Sequence, residues 1–236
     1  MSFFQRLQGV FFNPQFTFKG ISEQPIWLDT LILLLIFIIL FSYITSPYAR
    51  SDSLKFMENN EVRLQERMGE ERYNQRIESI KNPSNVTLII QFFIFAPLGF
   101  LISILISSLF IFALGRLSST EGRFIQVFSA LLHANFIDKI LGNGVRLILA
   151  LTRKSLAEIT TSFALFYPHL EVGSPAYTIL SQIDFFQLWL FGILSYGLSC
   201  IFKIELKKAL LISYGFWLLK SIFNIAIGLL IFQAIR

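Results

Sequence analysis

Residues 31–41 read LILLLIFIILF, eleven apolar side chains in succession, set within twenty uncharged residues between Asp29 and Arg50. Hydrocarbon offers no partner to a bare backbone N–H or C=O, so a chain crosses it as a helix of about 20 apolar residues. The stretch therefore predicts a membrane span over about 26–44, with Trp27 and Tyr43 as interfacial aromatics.

The rest of the chain follows the same pattern. Residues 82–115 are uncharged and predict a second span at about 87–114, kinked by Pro97 and Gly99. A third, 124–150, carries His133, Asp138 and Lys139 ahead of a Gly142-Asn143-Gly144 break. The fourth, 185–203, has Trp189 near one interface, and the fifth, 209–235, is apolar except for Lys220. Residues 45–85 form a charged insert with seven Lys/Arg and seven Asp/Glu. Leu64, Met68, Tyr73, Ile77 and Ile80 recur there at three- and four-residue spacing, which fits either a weakly amphipathic helix near 54–80 or a solvated charged hairpin. Residues 153–183 predict a short interfacial helix followed by a loop. The expected fold is all-α, one membrane domain of about five transmembrane helices over 1–236.

Composition excludes the soluble alternative. Of 236 residues, 54% are hydrophobic, 15% are charged and 27 are Phe, with a mean hydropathy of +0.63. A soluble fold would leave apolar patches larger than monomers tolerate. The net charge of +5 does not point to nucleic acid, because the basic residues flank apolar segments. Cys200 is the single cysteine, so no internal disulfide or cysteine metal site can form, and a buried structural thiol is expected. The first apolar run starts after some 25 residues, is long for a signal peptide and lacks a small-residue exit, so it is expected to remain as an anchor.

No phosphate loop, nucleophile elbow, HExxH or paired-cysteine motif is present, and His133 and His169 are the only histidines. No catalytic residue, metal site or cofactor is expected. Ionisable groups at membrane depth are costly and face the bundle interior, a partner or water. Lys220 lies about 18 Å along its helix from Lys208, and His133 and Asp138 about 15 and 22 Å from Arg123. These depths coincide if both helices start at one interface, and Asn224 sits one turn beyond Lys220. The expectation is a buried cluster of His133, Asp138, Lys220 and Asn224, acting as a helix-packing clamp or in ion, proton or lipid-headgroup passage. Gly192, Gly197, Ser199, Gly215 and Gly228 predict close helix approach. Lys203, Lys207 and Lys208 form a basic turn able to meet anionic headgroups, at about 1 kcal/mol per residue.

Four segments carry a resemblance: FNPQFTFKGISEQPIWLD at 12–29, the charged insert following SPYARSD at 46–52, LGRLSSTEGRFIQVFSALLHA at 114–134, and DFFQLWLFGILSYGLSCIFKIELKKALLI at 184–212. In order and spacing the chain resembles the Yip1-domain membrane proteins, particularly their bacterial branch. The resemblance implies a five-helix bundle of the bacterial inner membrane, N-terminus cytoplasmic and C-terminus outside, with no known enzymatic reaction. Eukaryotic relatives act in ER-to-Golgi vesicle traffic and associate with Rab-type GTPases and with each other. Here no long N-terminal region and no DLYGP-like motif precedes the first span, so GTPase binding is not carried over. Raw Lys/Arg counts do not favour a cytoplasmic N-terminus, but the two tightest loops, 115–123 and 203–208, are basic and agree with it.

The expected function is non-enzymatic, membrane-organising or partner-binding. Membrane lipids, a second copy of the chain or another membrane protein are the expected partners, with no nucleic acid. The alternative is a small transporter, channel or lipid-handling component built around Lys220.

Overall fold

The structure, a computed structural model, describes residues 1–157 and 161–235. Its helices are α1 (Phe3–Phe12), α2 (Pro14–Glu23), α3 (Leu28–Asn59), α4 (Glu61–Met68), α5 (Glu70–Lys81), α6 (Asn85–Arg116), α7 (Phe124–Arg153), α8 (Pro175–Leu180), α9 (Phe185–Phe202) and α10 (Leu206–Ile235). Five of them, α3, α6, α7, α9 and α10, are long and apolar enough to cross a membrane.

Burial sorts the five spans into two classes. In α7 and α9, 67% and 56% of the most apolar window is buried, against 22%, 17% and 17% in α3, α6 and α10. α7 and α9 are thus the centre of the bundle, and their Leu132, Phe136, Ile137, Leu194, Leu198 and Phe202 are fully buried. The outer spans turn Ile32, Ile36 and Leu40, Ile102 and Leu109, and Leu218, Ile222 and Phe223 outward. Such stripes suit acyl chains, which solvate them at no cost.

α3 runs straight through Pro47 for 32 residues, about 48 Å, well beyond a hydrocarbon core of about 30 Å. Thr45 Oγ1 donates to Phe41 O at 2.7 Å in the turn before the proline, as hydroxyls often do near prolines in spans. The charged insert, expected as a helix near 54–80 or a charged hairpin, is helical in three pieces, broken at Asn60 and at Gly69. Gly69 takes φ +86°, a conformation that disfavours any side chain. α5 folds back on α3, where the buried Tyr73 donates from its hydroxyl to Met57 O at 3.3 Å.

α6 is widened by a π-turn over Ile90–Phe95, directly before Pro97, which has no N–H to continue the ladder. α7 contains a second, over Phe136–Gly142. The third span, expected over 124–150, runs unbroken through Gly142-Asn143-Gly144, and α7 continues to Arg153. Arg146 closes the wide turn by donating from Nη1 to Asp138 Oδ1 at 2.9 Å and to Asn143 Oδ1 at 3.0 Å. After α7 come a 3₁₀ turn, Phe163–Phe166, and the short α8, where a helix followed by a loop was expected.

Residues before the first span form a helical hairpin, α1–α2, that sequence reading did not anticipate. Ser2 and Gln5 cap α1 reciprocally, and Pro14 starts α2. The hairpin lies on α7 and α9 and buries Val10, Phe18 and Ile21. Phe18 presses so closely on Gly197 that a Cβ there would lie 2.8 Å from its ring. Phe4, Phe12 and Phe16 point outward, an apolar edge suited to the headgroup–acyl boundary.

The two short loops share one face of the bundle, where Lys203 Nζ pairs with Glu121 Oε1 at 3.2 Å. On the opposite face Asp52 Oδ2 accepts from Leu156 N at 2.6 Å and Ala157 N at 2.9 Å, tying the end of α3 to the segment after α7. Cys200, expected to be buried, is half-buried. Arg236, counted in the charge balance of the ends, lies outside the described residues.

Candidate functional site

Polar side chains at membrane depth gather along α7, in two separate networks. The first joins the N-terminal hairpin to α3 and α7. Arg6, itself buried, donates from Nε to His133 Nε2 at 3.1 Å, from Nη1 to Met1 O at 3.0 Å, and forms an ion pair with Asp29. The ring's other nitrogen, Nδ1, lies 2.8 Å from Ser129 O. A carbonyl can only accept and a guanidinium can only donate, so the proton sits on Nδ1 and the imidazole is neutral. Thr30 Oγ1 lies 3.0 Å from the same Nε2.

The second network centres on Arg146. Besides Asp138 and Asn143, it reaches Asp184 Oδ2 at 3.1 Å from Nη2 and Thr161 Oγ1 at 3.1 Å from Nε, with its guanidinium 5.6 Å from the Phe186 ring centroid. Asp184 also caps α9, where Oδ1 accepts from Phe186 N at 2.9 Å and Gln187 N at 3.1 Å. Asp138 has a second cation, Lys139, at 2.7 Å. Arg146 was not among the residues singled out from sequence, although it falls inside the expected third span. Its rigid planar fork meets two carboxylates through separate nitrogens, a fixed geometry that the point charge of a lysine lacks.

The four residues grouped from sequence fall in different places. His133 belongs to the Arg6 network and Asp138 to the Arg146 network. Lys220 donates to Gln187 Oε1 at 3.4 Å, and Asn224 donates to Gln182 Oε1 at 3.1 Å. Lys220 and Lys139, the ion-pair partner of Asp138, nevertheless border one space, a partly enclosed cavity of about 330 Å³ to which all five spans contribute. Ser42 comes from α3, Ser103 from α6, Lys139 and Asn143 from α7, Gln187 from α9 and Lys220 from α10. Among the described residues no three His, Cys, Asp or Glu side chains converge as metal ligands.

Against known families, the Yip1 domain model matches residues 9–228, almost the whole chain. The chain belongs to the Yip1-domain family. No curated protein and no solved structure gives a match. The Yip1 domain here therefore spans the α1–α2 hairpin from Gly9, all five spans and the charged insert, so both polar networks fall almost wholly within the family's own extent. Arg6 is the exception, three residues upstream of the matched region.

Small residues of this Yip1 domain divide by what faces them. Gly197 meets Phe18 and Ala130, Gly192 meets the Tyr214 hydroxyl and Gly228 meets Thr178, whereas Gly215 faces open space. Ser199 Oγ donates to Ile204 O at 2.7 Å and closes the turn between α9 and α10. In the basic turn Lys203 is engaged with Glu121, while Lys207 and Lys208 stand exposed in the first turn of α10.

Proposed function

We propose that this multi-pass Yip1-domain protein acts without catalysis, as a membrane-organising or partner-binding protein of a bacterial inner membrane. Its N-terminus is cytoplasmic and its C-terminus outside, so the exposed Lys207 and Lys208 meet anionic headgroups of the inner leaflet. The supporting observation is the α4–α5 hairpin. α3 overshoots the hydrocarbon by about 18 Å, and the Tyr73–Met57 contact fixes α5 against that projecting segment. A charged, mostly solvent-facing pair of helices is thereby presented in a fixed pose. Fixed presentation lowers the ordering cost of binding a protein partner, another membrane protein or a second copy of this chain.

The test replaces residues 61–81 by a short Gly-Ser linker. Intact and replaced chains are purified from native membranes in mild detergent, and co-eluting proteins are identified by mass spectrometry. Loss of a partner from a chain that still melts cooperatively is the expected result. The same partner set on both chains sinks the reading.

The cavity favours a second reading, a lipid-handling or small transport component. Its measure is lipid transfer between leaflets of proteoliposomes, and a rate equal to protein-free vesicles rejects it.

A further inference from the structure

We propose that the cavity shared by the five spans is a binding site for one anionic phosphate group, held between Lys139 and Lys220. Charge is the first observation. Around the cavity and the network behind it, Lys139, Lys220 and Arg146 face only Asp138 and Asp184 among the described residues. Both carboxylates are committed, Asp138 to two cations and Asp184 to Arg146, the Thr161 hydroxyl and the first backbone N–H groups of α9. Lys220 forms an ion pair with no carboxylate among the described residues; its partner is the neutral Gln187. One positive charge at membrane depth is thus left without a counter-charge, an arrangement that lipid disfavours strongly unless an anion or water answers it.

Donor chemistry is the second observation. Arg146 takes the side-chain oxygen of Asn143, and Lys220 takes that of Gln187. No described acceptor takes the NH₂ group of either amide. Two ammonium groups and two amide NH₂ groups are therefore donors of residues that line the same space, with the Ser42 and Ser103 hydroxyls also on its wall. A phosphate carries more acceptor oxygens than a carboxylate and matches such a donor-rich wall better.

Shape is the third. The volume, about 330 Å³, holds far more than a single water and falls within the range of small-molecule sites. Apart from Ser107 and Asn135 the remaining wall is apolar, including Phe100, Phe191 and Phe216, which suits the acyl chains of a phospholipid. The π-turn of α7 carries Lys139, and such turns occur often at functional sites. The phosphate can come from a lipid headgroup or from solution, and the site stands apart from partner binding. It deepens the lipid-handling reading, but its readout is binding. A chain that holds phosphate yet moves no lipid rejects that reading and leaves this one standing.

The full chain, delipidated in a non-ionic detergent, is titrated by native mass spectrometry with phosphatidylglycerol, with phosphatidylcholine of the same acyl chains, and with inorganic phosphate. One phosphatidylglycerol per chain is expected, at least tenfold tighter than phosphatidylcholine. Lys139→Gln with Lys220→Gln lowers that affinity tenfold or more, while Lys220→Arg preserves it. Saturable phosphatidylglycerol binding that millimolar phosphate fails to displace assigns a lipid source. Saturable phosphate binding without lipid preference assigns a soluble one and supports the same site. Equal binding of the two lipids with none of phosphate overturns the proposal, as does unchanged affinity in the double glutamine variant. If that variant does not melt cooperatively, the competition on the unaltered chain decides.

Discussion

Arg146 on α7 donates to Asp184 at the head of α9 across 38 residues of sequence, at 3.1 Å, while its other terminal nitrogen holds Asp138 at 2.9 Å. One guanidinium thus locks the two central helices together and bridges two buried carboxylates. Arg146→Met leaves both acids without it, and removing one partner of a buried pair costs about 3–5 kcal/mol. The expected outcome is a large drop in thermal stability in detergent. Arg146→Lys recovers only part of it, since an ammonium is a point charge without the fork. Equal stability of the Met variant and the parent rejects the lock.

Arg6 does the same for the N-terminal hairpin, linking it to Asp29 and His133. Asp29 is 39% exposed, which weakens the ion pair through solvent screening, so Arg6→Met is expected to cost about 2 kcal/mol, mainly through the lost hydrogen bonds. Limited proteolysis should then cut within residues 1–25 before any other site. A double-mutant cycle of Arg6→Met with His133→Ala should show coupling of about 0.5–3 kcal/mol; strictly additive effects contradict direct contact.

Glycines that look alike in sequence should respond differently. A Cβ on Gly115 would lie 2.1 Å from the Phe202 ring, so Gly115→Ala must push a fully buried aromatic aside, at about 1–3 kcal/mol. Gly215 has nothing within 4 Å, and Gly215→Ala gains helix propensity, up to about 1 kcal/mol. Melting temperatures that move in the same direction for both would contradict these surroundings.

Ser108 is fully buried on α6 and its hydroxyl has no hydrogen-bond partner among the described residues. An unsatisfied buried hydroxyl carries its desolvation cost without return, so Ser108→Ala should be neutral or stabilising by about 1 kcal/mol. A clear loss of stability would show that the hydroxyl is engaged.

The number, order and approximate extent of the spans follow from the amino-acid sequence alone. LILLLIFIILF and its four counterparts are local runs, and hydrocarbon reads them locally: a segment is long and apolar enough or it is not. That His133 and Asp138 turn inward was legible too, since ionisable groups at membrane depth are too costly to face lipid. Which polar groups meet depends on how the helices pack. Lys220, Asp138 and His133 lie at similar depths, but pairing also depends on how each helix is rotated about its axis, and that is set by packing against helices distant in sequence. Arg6 finds His133 because α1 folds back on α7, and Arg146 reaches Asp184 because a π-turn carries α7 past its glycines. Neither placement is written in any single segment.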